Sequence, residues 1–74
     1  MKIYGIVSQE TWESPSVWQP YYFKHEDAVK TLLKQVEEAN RGLNEIDKFK
    51  PLEGHPLYFL GKNESLSIEE FEVI

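Results

Sequence analysis

Residues 23–43, FKHEDAVKTLLKQVEEANRGL, decide how the rest of the chain must fold. Ala28, Leu32, Val36, Ala39 and Leu43 recur at intervals of four, four, three and four, which places them on one stripe of an α-helix. Val29 and Leu33 widen that stripe. The opposite face carries Glu26, Asp27, Lys30, Lys34, Glu37, Glu38 and Arg41, with Glu26 before Lys30 and Glu37 before Arg41 in the favourable acid-then-base order. Acids in the first turn, Arg41 in the last and Gly42 as a left-handed stop complete the signature. The start is weakly marked, because neither Lys24 nor His25 is a good N-cap.

A helix with one apolar stripe needs a second layer to bury it. On the N-terminal side, residues 1–7, MKIYGIV, are apolar on both alternating sets and suit a central strand covered on both faces. Gly5 within it marks a bulge or a close side-chain approach from the opposing layer. Residues 8–20, SQETWESPSVWQP, read as a loop or long hairpin connection, because Ser14-Pro15-Ser16 and Pro20 interrupt any ladder. Residues 17–23 make the second strand, with Tyr21 and Phe23 on one face and Trp18 and Tyr22 on the other.

On the C-terminal side, Asn44 can cap a single turn that carries Ile46 and Phe49 before Pro51 stops it, and Leu52 completes this lid over the core. Residues 57–60, LYFL, read as the third strand, Gly61-Lys62-Asn63 as a turn and residues 68–74, IEEFEVI, as the fourth strand. Ser67-Ile68-Glu69-Glu70 also fits the capping box of a helix start, but Phe71, Val73 and Ile74 favour a strand. The expectation is an α+β fold of one domain over residues 1–74: a small antiparallel or mixed sheet, ββαββ, with one helix packed on a face.

Composition narrows the function. Thirteen acids against eight bases give a formal charge of −5, which argues against direct nucleic-acid binding. The absence of cysteine excludes a disulfide-built secreted mini-protein and suits a reducing compartment. Met1-Lys2 runs into a short apolar patch without a signal-peptide core, and no stretch approaches membrane-spanning length, so a soluble cytoplasmic protein with no membrane partner is expected.

Catalytic motifs are missing. His25 and His55 lie far apart with no cysteine to complete a zinc site, and Glu26 and Asp27 beside His25 are more simply dipole partners; no metal or other cofactor is expected. No Gly-x-Ser-x-Gly motif joins a serine to a histidine, and the glycines at 5, 42, 54 and 61 stand singly, so there is no phosphate loop. Asn63-Glu64-Ser65 matches a glycosylation acceptor without a secretory signal to support it. An enzyme is not expected.

What remains is aromatic content. Trp12, Trp18, Tyr21, Tyr22, Phe23, Tyr58 and Phe59 cannot all face a single helix, so some finish the core or cover the second sheet face and others are free to bind. The candidate partner-binding residues are Glu10, Trp12, Glu13 and Trp18 in the proline-bearing loop, and Glu69, Glu70 and Glu72 in the closing strand. The plainer reading of those last acids is a solvated edge strand kept soluble by charge. A ligand held between helix and sheet would need a pocket of about 300 Å³ or more, for which so short a chain has little room.

With MKIYGIV at the start, YYFKHEDAVKTLLKQVEEAN in the middle and SIEEFEVI at the end, the chain resembles the many short uncharacterised proteins of Gram-positive bacteria and their phages. Members of such sets with known roles are often phage-encoded inhibitors that bind a host enzyme or a bacterial defence protein. The resemblance carries no site motif, so no residue role comes with it. It implies a non-enzymatic inhibitor that occludes a site on its partner. If the acidic strand dominates, the partner is a nucleic-acid-binding protein whose basic groove is filled by carboxylates. A small homodimer that pairs sheet edges or aromatic faces is the alternative.

Overall fold

The computed structural model describes residues 1–18 and 20–74. The predicted helix becomes α1, His25–Asn40, two residues shorter at its start and three at its end than the sequence pattern. Lys24 is its N-cap and makes no side-chain cap bond. Gly42, just beyond the end, has φ +77°, the left-handed geometry that glycine adopts without a Cβ penalty.

Ala28, Leu32 and Val36 are buried as the stripe predicts, but Ala39 and Leu43 are exposed. The buried line continues by a further step of four to Asn40, and Leu43 lies past the last helical residue, where the helical phase no longer applies. Asn40 answers the backbone of Phe49: its Nδ2 donates to the Phe49 carbonyl at 3.2 Å and its Oδ1 accepts from the Phe49 N–H at 2.7 Å. One amide thus ties the helix end to the core chain as a strand neighbour would.

Five strands form one sheet in the order β2-β1-β5-β4-β3, and every pair is antiparallel. They are β1 Lys2–Glu10, β2 Ser16–Val17, β3 Lys50–Leu52, β4 His55–Leu60 and β5 Glu64–Glu72. The α+β class holds, and the strand count exceeds ββαββ by one. The extra strand is β3, expected only as lid because of Pro51, yet at a sheet edge a proline without an N–H leaves its outer side to solvent. The single turn before it exists as a 3₁₀ turn at Glu45–Asp47, although Asn44 makes no side-chain cap bond. That turn delivers only Phe49 to the core, since Ile46 is 87% exposed and Leu52 is exposed on β3.

β1 and β5 are longer than predicted and pair without a break from Lys2↔Glu72 to Glu10↔Glu64. The capping-box reading of residues 67–70 therefore gives way to strand, where each backbone group toward β1 gains a ladder partner. The strand expected over residues 17–23 contracts to β2 and a single bridge, in which Tyr4 and Tyr22 exchange backbone bonds of 2.7 and 2.8 Å. Pro20 explains the gap, because it supplies no N–H to the ladder. Gln19, which belongs to this stretch and to the 8–20 loop, lies outside the described residues.

Alternation along the strands sorts the two faces. Ile6 on β1, Leu66 on β5 and Phe59 on β4 meet Leu32, Val36 and Phe49 in the core, with Trp18, Tyr22, Leu57 and Ile68 packed at its margin. Phe49 lies flat enough on the β4–β5 turn that a Cβ on Gly61 would come within 2.8 Å of its ring. Among the described residues no second helix or sheet lies on the other face, yet Gly5 and Val7 are buried there as Ile6 is on the helix side, so the centre of β1 is covered on both faces as expected. Gly5 interrupts nothing in the register. A Cβ there would meet Val17 at 2.9 Å, Phe71 at 3.2 Å and Tyr21 at 3.3 Å, so the close side-chain approach expected at Gly5 exists, made by two strand residues and by the segment after β2 rather than by a separate layer.

Asn40→Ala removes both partners of the Phe49 backbone, and the expected loss is about 1–3 kcal/mol in urea unfolding. Ala39→Gln, at a position the periodicity placed in the core, should stay within about 0.5 kcal/mol of wild type. Equal losses at both sites would contradict the exposure of Ala39 and the tethering role of Asn40.

Candidate protein-binding surface

The turn after β1 presents Trp12. Glu13 N–H closes it on the Glu10 carbonyl at 3.2 Å. Thr11 anchors it twice to the Asn63 carbonyl of the β4–β5 turn, through its N–H at 2.9 Å and its Oγ1 at 3.0 Å. The indole is 93% exposed, so folding makes almost no use of it. Below Trp12 an open groove of about 550 Å³ runs between this turn, the 3₁₀ turn and the β4–β5 turn, floored by Leu43 and Phe49. The space that sequence length argued against therefore exists, but on the rim of the core and not between helix and sheet.

The groove is acidic. Glu10 and Glu64 stand directly opposite in the ladder, an arrangement of like charges that costs stability. Asp47 adds a third carboxylate, and Lys62, the base lining the groove among the described residues, is already 3.8 Å from it. Among the described residues no group of three or more histidines, cysteines or acids is placed to hold a metal ion. His25 instead stacks edge-on against Tyr4 with ring centroids 5.1 Å apart, and His55 is exposed at the start of β4.

Trp18 has a different position. Its backbone N–H bonds the Ile6 carbonyl at 2.8 Å, its Nε1 donates to Ser8 Oγ at 2.9 Å, and its ring packs against the core. Glu10, Trp12 and Glu13 therefore sit together and Trp18 does not join them.

The acids of β5 lie at the other end of the ladder. Glu70 and Glu72 share the helix face, as alternation requires, and Glu69 lies on the open face opposite Gly5. Lys2 approaches Glu70 at 3.7 Å and the Met1 ammonium approaches Glu72 at 3.6 Å, both well exposed and worth little to stability. At about 3.4 Å per residue, Glu72 and Glu10 are about 25–30 Å apart along the sheet. The two candidate regions are thus separate surfaces.

The groove residues beyond Glu10 and Trp12 were not legible as a set. They come from turns remote in sequence, and those the sequence did mark were marked for other roles, Leu43 on the helix stripe, Phe49 in the lid and Lys62-Asn63 in a turn. Compared with known proteins, the chain matches no family model, no curated protein and no solved structure.

The two tryptophans should be separable by spectroscopy. In Trp18→Phe the remaining indole emits as in water and is quenched readily by acrylamide, whereas Trp12→Phe retains a blue-shifted, protected emitter. Trp12→Ala should change stability by less than about 0.5 kcal/mol and Trp18→Ala should cost about 2 kcal/mol or more.

Proposed function

We propose that this chain is a non-enzymatic protein-binding module that acts by occluding a site on its partner, in the manner of phage or mobile-element proteins directed at a host or defence protein. The observation that carries the reading is Trp12, a 93% exposed indole on a turn pinned by three backbone-anchored hydrogen bonds. Because the backbone of the turn is fixed before binding, association has only the two side-chain torsions of the indole to order, and tryptophan is among the residues most often found as interface anchors. Leu43 and Phe49 beside it offer apolar floor, and Glu10, Asp47 and Glu64 offer a negative rim. Such a surface suits a partner with an apolar knob bordered by basic residues. On this reading the chain works in the cytoplasm; what the fold itself supplies is that no helix among the described residues is long and apolar enough to cross a membrane.

A second reading, a small homodimer, is favoured by the uncovered sheet face. Val17, Tyr21, Tyr58 and Leu60 are exposed there, and Tyr21 stacks edge-on with Phe71 at 6.1 Å. Apolar sheet faces of this kind are covered in dimers.

Affinity capture from bacterial lysate with wild type and Trp12→Ala, washed at low and high salt, tests the first reading. We expect a discrete partner, identified by mass spectrometry, that wild type retains and the variant loses, with modest salt sensitivity. No Trp12-dependent partner, together with a dimeric mass by light scattering at high protein concentration, would replace occlusion by the homodimer.

A further inference from the structure

β5 is paired along its whole length on one side and along a third of it on the other. Its nine residues all match β1, but β4 matches only Ser65, Leu66 and Ser67. Beyond them β4 diverges. Its first residues turn into the β3–β4 hairpin through Gly54, at φ +80°, and Pro56 has no N–H to offer. Where the strands part they leave an opening of about 310 Å³ between Leu57 and Ile68.

The direction of the β5 backbone groups follows from two bonds. Gly61 N–H donates to the Glu64 carbonyl at 2.8 Å, so Glu64 points toward β4, and Val73 N–H donates to the Met1 carbonyl at 2.7 Å, so Val73 points toward β1. With a period of two, the N–H and C=O of Glu70 and Glu72 point to the β4 side. No strand of the described residues meets them there.

We infer that this open edge of β5, at Glu69–Glu72, captures an extended basic segment of a partner protein as an added antiparallel strand. The inference rests on the protein-binding reading and specifies how a partner would be held. Main-chain bonds to Glu70 and Glu72 supply the docking, and the side-chain pattern supplies the choice. An added strand places residues opposite Glu72 and Glu70 on the helix face, where a lysine or arginine meets each carboxylate from the side away from the Met1 ammonium and Lys2, whose exposed contacts at 3.6 and 3.7 Å are weak competitors. The residue between them lies opposite Phe71 on the open face and is apolar, and the next meets Glu69 and is basic. The recognised pattern is therefore basic, apolar, basic, basic. A second copy of β5 does not fit, because it would set glutamate against glutamate across the new pair.

The test uses the purified full chain and a fluorescein-labelled peptide with that lysine–valine–lysine–lysine core flanked by glycine and serine. Anisotropy titration should show salt-sensitive binding. The same peptide N-methylated at the residues facing Glu70 and Glu72, which keeps the charge and removes the ladder donors, should bind about tenfold more weakly. Glu70→Gln combined with Glu72→Gln should also weaken it about tenfold. In hydrogen-exchange NMR, the Glu70 and Glu72 amides should gain protection when the unmodified peptide binds. Equal affinity for the methylated peptide, or unchanged exchange at these amides, would reduce the effect to charge attraction and overturn the inference. No binding would also overturn it and leave the glutamates as guards of an edge strand. Because no lysate protein enters the assay, its failure beside intact Trp12-dependent capture would sink the edge alone. Edge binding without any captured partner would support the edge and sink the Trp12 reading.

Discussion

The antiparallel ladder between β1 and β5 is the constraint on which everything else in this protein depends. It joins the first strand to the last, from Lys2↔Glu72 to Glu10↔Glu64, and its parity assigns each side chain a face. Ile6, Leu66 and Ile68 fall beneath α1, while Gly5 and Phe71 fall on the open side. A slip of one residue would turn the core residues of one of the two strands outward while the other kept its face, so burial under the helix holds the register. The same pairing makes the fold non-local: loop closure across nearly the whole chain precedes the contacts that reward it, which favours slow folding for a domain of this size.

The helix contributes one face and one tether. Ala28, Leu32 and Val36 fill the space over Ile6 and Leu66, and Asn40 then exchanges packing for a pair of hydrogen bonds to Phe49. Trp18 performs a similar joint at the other margin, burying its ring and giving its N–H to Ser8. A core this small leaves little room for further packing, and the five ion pairs among the described residues lie largely in solvent, where each is worth about 0–1 kcal/mol. Cohesion therefore rests on the ladder and these few joints.

The ladder has two dissimilar ends. At the Glu10 end its strands run into turns that brace each other through Thr11 and Asn63 and hold Trp12 in water above an acidic groove. At the Glu72 end β4 has already parted from β5, and backbone groups stand beside carboxylates without a neighbouring strand among the described residues. An exposed aromatic on a fixed turn and an open strand edge are physically different features, the one apolar and the other made of backbone donors and acceptors.

Much of the fold was legible because it is written in short-range periodicity. The spacing of Ala28, Leu32 and Val36, the β-rich runs at both ends, the Gly61-Lys62-Asn63 turn and the acidic balance depend on neighbours within a few residues, and they determined helix, strands and class. Tertiary structure decided the rest. Pro51 hid β3 because a proline is tolerated only where the sheet provides an edge. Ala39 came out exposed in the last turn of the helix, where Asn40 instead meets the Phe49 backbone, because what the helix end packs on is set by a segment nine residues further along the chain. Trp12 and Trp18, six residues apart, became an exposed side chain and a core-packed one because one follows the end of a strand and the other lies beside Ser8 and Ile6. Exposure, grooves and unpaired edges are properties of register between segments remote in sequence, and no local pattern encodes that register.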